Sequence, residues 1–75
     1  MPRYFFHVFD GRTWSRDDEG DEFPDVAGAI QEAALIAREL LDDDPKLNEA
    51  DFRMEVADEQ GNVVHVIRSH DVTDQ

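Results

Sequence analysis

Phe52-Arg53-Met54-Glu55-Val56-Ala57 alternates apolar and polar side chains with a period of two, and Val63-Val64-His65-Val66-Ile67-Arg68 follows it after Asp58-Glu59-Gln60-Gly61-Asn62. Successive side chains of a strand point to opposite faces. The first run therefore predicts a half-buried strand with Phe52, Met54 and Val56 turned inward and Arg53 and Glu55 outward. The residues between the runs supply a short hairpin loop, in which Gly61 is available for a left-handed position. The return strand differs from the first. Whichever of Val64 and Val66, or of Val63, His65 and Ile67, meets the core, the other set is apolar as well.

Upstream, Phe23-Pro24-Asp25 reads as the start of a helix, with Asp25 as N-cap accepting from the first free amides and its charge favoured by the helix dipole. From there Val26, Ala29, Ile30, Ala33, Ile36, Ala37, Leu40 and Leu41 fall within a sector of roughly 140° at helical spacing, while Gln31, Glu32, Arg38 and Glu39 lie opposite. The helix is predicted to end near Asp42-Asp43-Asp44-Pro45, because the residue before a proline avoids the α region. Leu35 falls in the middle of the polar face. A single exposed leucine is ordinary surface, but a contact with a partner would look the same. Lys46 to Asp51 reads as a loop.

Further upstream, residues 3 to 9 are aromatic and β-branched and stop at the turn dipeptide Asp10-Gly11, which marks the first strand. Thr13-Trp14-Ser15 can begin a short return strand. Arg16 to Glu22 is too charged to be buried, so that second strand must be short and at an edge. The predicted fold class is α+β, with one amphipathic helix packed on a small, mainly antiparallel sheet of three to four strands in β-β-α-β-β order. Residues 1–75 form one domain, and Ser69 to Gln75, with little to pack, read as a frayed tail.

A lone helix covers one face of a sheet. If Tyr4, Phe6 and Val8 meet the helix, then Phe5, His7 and Phe9 point to the other side, and the last strand is likewise apolar on both faces. Something should cover that second face: a second subunit, a different partner, or the chain's own Trp14, Phe23 and tail. For so small a chain a symmetric dimer is the commonest solution, and Phe5, His7, Phe9 and His65 are the candidate interface residues.

Composition narrows the function classes. The chain has 75 residues, 19 acidic and 7 basic side chains, a net charge of −12 and no cysteine. A domain of this length buries only about 60% of its unfolded surface, and without cysteine it has no disulfide staple and no thiolate metal site. Its charge is repelled by nucleic-acid phosphates and anionic membranes, whereas a basic protein partner is compatible with it. The apolar stretch Tyr4 to Phe9 is too short for a signal segment or a membrane span, so a cytoplasmic protein is expected.

Chemistry-bearing constellations are sparse. His7 and His65 could be neighbours on adjacent strands, forming half a metal site, but no third ligand is positioned and two packing histidines are the commoner case. The acidic runs 17–22 and 42–44 offer hard oxygen ligands for Ca²⁺ or Mg²⁺ without the ordered spacing of a calcium loop, so no metal or cofactor is expected. Ser15, Ser69, Thr13 and Thr73 lie in no nucleophile motif, and the glycines are scattered, so no catalysis is expected. Two function classes remain. One is a self-associating, non-catalytic interaction module, and the other is an acidic regulator, or nucleic-acid mimic, that occupies a basic partner surface through its two acidic runs.

Met1-Pro2-Arg3-Tyr4-Phe5-Phe6-His7-Val8, with Asp10-Gly11, Asp18-Glu19-Gly20, Phe23-Pro24-Asp25, Glu32-Ala33-Ala34 and Glu55-Val56 through Asp58-Glu59-Gln60-Gly61 to Val63-Val64, resembles a family of small uncharacterised alpha-proteobacterial proteins, a domain of unknown function. The match runs from Met1 to about Arg68. The resemblance implies a bacterial, cytosolic, stand-alone domain and brings no activity or functional residues with it.

Overall fold

The computed structural model describes residues 1–49 and 51–69. In it β1 (Arg3–Asp10), β2 (Trp14–Ser15) and β3 (Asp21–Glu22) precede the helix α1 (Val26–Asp43), a 3-10 turn (Pro45–Asn48), β4 (Phe52–Ala57) and β5 (Val63–Arg68). The sheet order is β2-β1-β4-β5, with β3 paired beside β2 along the same edge of β1. Every pairing is antiparallel. The fold is α+β, one helix on a mainly antiparallel sheet.

The register confirms how the strands face. Phe6 pairs with Val56 and Val8 with Met54 between β1 and β4, and Met54 pairs with Ile67 between β4 and β5. Tyr4, Phe6, Phe52, Met54, Val56 and Ile67 are buried under the helix. In the return strand Ile67 and its face-mate His65 therefore lie on the helix side.

Helix α1 begins where its cap dictates. Extended backbone at Asp25 lets its carboxylate accept from the Gly28 amide at 2.9 Å, satisfying one of the free N–H groups of the first turn. At the far end the Asp44 amide donates to the Leu40 carbonyl, and the Asp44 side chain accepts from Lys46 to start the 3-10 turn, which shortens the predicted loop. Ala29, Ala33, Ala37 and Leu41 are spaced by four and buried. Such a row lies along one line of the helix surface, and three successive alanines there keep the helix backbone close to the sheet. The contact strip is narrower than the predicted sector: Ile30, Ile36 and Leu40 flank it half-buried, and Val26 remains exposed.

Two expectations need correction. The single short return strand is two separate two-residue strands, so the element order has a third strand before the helix and five strand segments among the described residues. The charged pair Asp21–Glu22 serves as one of them because an edge strand leaves both side chains in water. Phe23 does not cross to the open face; its ring packs 6.2 Å from Tyr4 and 5.9 Å from Phe6 on the helix side. Most of the predicted tail, residues 70–75, lies outside the described residues.

Candidate functional site

The face away from the helix carries Phe5, His7 and Phe9, as the alternation of β1 requires, and all three are half-buried. The chain's own β2–β3 segment lies against that face. Trp14, opposite Phe9 in the β1–β2 register, stacks on it with ring centroids 5.1 Å apart. From β4 the Arg53 guanidinium lies 4.7 Å from the Phe9 ring centre and 5.8 Å from that of Trp14, a cation–π contact at the sheet surface. Asp51 stands 3.5 Å from the same guanidinium, and Arg53 Nε is buried without a hydrogen-bond acceptor.

Between β2 and β3, Asp17 is the hub that fixes the loop to the sheet. Its carboxylate accepts from the amides of Phe6, Glu19 and Gly20 at 3.1–3.2 Å, while its own amide donates to His7 Nδ1 at 3.1 Å. Partial burial opposes its charge, but the Gly20, Phe6 and Glu19 amides and the neighbouring His7 outweigh that effect and hold the carboxyl below the ordinary aspartate range. Arg3 reinforces the arrangement by donating to the Glu19 carbonyl at 2.7 Å and pairing with Glu22 at 3.4 Å. Gly20 has φ +70°, and a Cβ there would meet the Tyr4 carbonyl at 2.7 Å and the Phe5 ring at 2.9 Å.

The four candidate interface residues do not form one surface. Phe5, His7 and Phe9 share a face with the loop against it. His65 stands on the opposite face, because it pairs with inward-facing Val56 while His7 pairs with outward-facing Glu55. Strand β4 also separates the two histidines, so the expected His7–His65 neighbourhood is overturned. Among the described residues no group of three His, Cys, Asp or Glu side chains is placed to hold a metal ion.

His65 instead belongs to a groove of about 370 Å³ between α1 and β5, lined by Ile30, Gln31, Ala34, Leu35 and Arg38 from the helix and by His65 and Ile67 from the strand. Its lining is apolar apart from one amide, one guanidinium and one imidazole, and it contains no carboxylate. The groove runs beside β5, which ends the sheet, and among the described residues no strand pairs with its outer edge. Exposed apolar side chains collect here: Leu35 is 54%, Val63 48% and Val64 41% exposed. In the sequence Leu35 and the two-sided strand stand nearly thirty residues apart. Strand order, which makes them neighbours at one edge, has no signature in the residues.

A family model described as a domain of unknown function, DUF6894, matches residues 3–70. No curated protein and no solved structure matches the chain.

Proposed function

We propose that this chain, which belongs to the DUF6894 family of domains of unknown function, is a non-catalytic protein-interaction module that takes up an extended segment of a partner as an added strand on β5. The observation that carries this reading is the contrast between the two edges of the sheet. Proteins guard edges with short strands, charges or covering loops. The β1 edge has all three: two-residue strands, the acidic pair Asp21–Glu22 and the 16–20 loop. The β5 edge is six residues long, with Val63, Val64, His65 and Val66 in succession and a single formal charge at Arg68. Main-chain hydrogen bonds along that edge would supply affinity, and the groove beside it would select alternate side chains of the added strand.

The setting we propose is the bacterial cytoplasm, which rests on the resemblance of the opening segment. In the described residues no helix is long and apolar enough to cross a membrane. The absence of catalysis is likewise our reading. Its support is that Thr13 and Ser15 are exposed on the turn and edge strand, and that the His7 Nδ1 lone pair already accepts the Asp17 amide.

A display library of extended peptides tests the proposal. Selected binders should alternate apolar residues and lose binding to a Val64→Lys variant. A library that yields no binder, or binders that hold the variant equally well, would count against it.

A second reading keeps the acidic clusters in view. Asp42 and Asp43 close α1 and Asp44 caps it, with no basic residue in the last turn to offset them, an arrangement the helix dipole disfavours. A basic partner surface would relieve that repulsion. Capture by an immobilised polycation that is unchanged by salt, or by replacing all three aspartates with asparagine, would eliminate this reading.

A further inference from the structure

We infer that the strand taken up by the β5 edge is the β5 of a second copy of this chain, paired antiparallel about a two-fold axis perpendicular to the sheet. This rests on the reading of β5 as the binding edge and names its occupant.

Electrostatics favours this edge as the meeting point of two copies. With a net charge of −12, two copies repel over most of their surface. From Gln60 to Ser69 there is no acidic residue, so at β5 the chains can meet without opposing carboxylates across the new ladder.

Register favours it too. A two-fold axis perpendicular to the sheet must pass through a residue for opposed side chains to share a face. An axis through His65 sets Val64 opposite the partner's Val66 and Arg68 opposite the partner's Asn62, in the hairpin that carries the partner's Asp58 and the partner's Glu59. Symmetry repeats this at the other end. The two basic ends of β5 then meet the two acidic hairpin tips, and a slip along the edge separates them.

The helix face beside the edge extends the contact. A perpendicular two-fold axis keeps both helices on one side of the joined sheet, so the two α1–β5 grooves merge into a single trough. Leu35, exposed on the rim of this groove, then faces the partner's Leu35 across apolar lining from Ala34 and Ile67. A standard interface takes about 800 Å² from each partner, roughly one sixth of the 4990 Å² this chain exposes. A strand about 20 Å long is too narrow to provide that by itself, so the groove side of α1 has to take part.

Light scattering across about a hundredfold range of concentration tests the inference, because a dimer must follow mass action. The wild-type mass is expected to rise from 8.6 kDa to twice that value. Val64→Lys and Leu35→Glu, both at exposed positions and checked for folding by circular dichroism, are each expected to weaken the dimer by about tenfold or more. Trp14→Ser, on the opposite face, is expected to leave it unchanged, and β5 amides should exchange more slowly in the dimer. A synthetic peptide spanning Asn62–Ser69 distinguishes self-pairing from uptake of any extended strand. If the wild type stays at 8.6 kDa yet binds the peptide, the second copy is overturned and the binding edge stands. A monomer that ignores the peptide overturns both. A dimer that survives Val64→Lys and Leu35→Glu, or is dispersed by Trp14→Ser, overturns the proposed geometry.

Discussion

One carboxylate holds the loop that covers the sheet's open side. Asp17 accepts three backbone amides, and replacing it with alanine leaves those donors to compete for water, at a cost of about 1–2 kcal/mol in urea unfolding. Because its folded-state pKa lies below the unfolded value, the stability it contributes is fully present above the unfolded pKa. That contribution is lost as pH falls through the folded one. The acid limb of the stability curve should therefore flatten in Asp17→Asn, and a limb identical to wild type would contradict this account. Two glycines provide a matched comparison. Gly61→Ala meets only the strain of φ +85° in open space, about 1–2 kcal/mol. Gly20→Ala adds a collision with the Tyr4 carbonyl and should cost more, and thermal melts that rank the two variants the other way would refute the packing argument.

At the level of elements, α1 depends on its alanine row and its ends. Ala33→Leu forces a larger side chain between helix and sheet where no surface is accessible, with an expected loss of about 1–3 kcal/mol. Leu35→Gln, two residues along on the exposed side, should stay within about 0.5 kcal/mol of wild type as a monomer. Asp25→Ala removes the cap on Gly28 at about 1 kcal/mol. In the opposite direction, Asp43→Lys places a cation where the helix dipole favours one and should stabilise by about 0.3–1 kcal/mol. Denaturant titration should show the gain at low salt and a smaller one at high salt, and a loss at both would mean the acidic end is structurally required. These features were largely legible in advance, since the cap, the spacing of four and the stop before Pro45 are local. The narrowness of the buried strip, which leaves Val26 outside, was not, because it depends on where the sheet ends beneath the helix.

For the whole molecule the charge is the lever that separates the two functional readings. Salt screens repulsion between copies carrying −12 each, so the proposed dimer should tighten as ionic strength rises. Association with a basic partner should weaken under the same change. Sedimentation and polycation binding measured over one salt series therefore move in opposite directions if both readings hold. A dimer that loosens with salt would point to an interface built on ion pairs.

The amino-acid sequence by itself determined the elements and their inward faces: period two in Phe52 to Ala57, helical spacing from Val26 to Leu41, and alternation in β1. These follow from each residue's neighbours in the chain. It also stated that a second apolar surface existed. Only the tertiary structure decided where that surface remains open. Pairing β1 with β4 sends β5 to the sheet's outer edge and His65 to the face opposite His7, while the Asp17 loop folds over Phe5 and His7 and Trp14 stacks on Phe9. The physical reason is that strand order and loop placement are set by contacts between residues far apart in sequence, which no local pattern encodes.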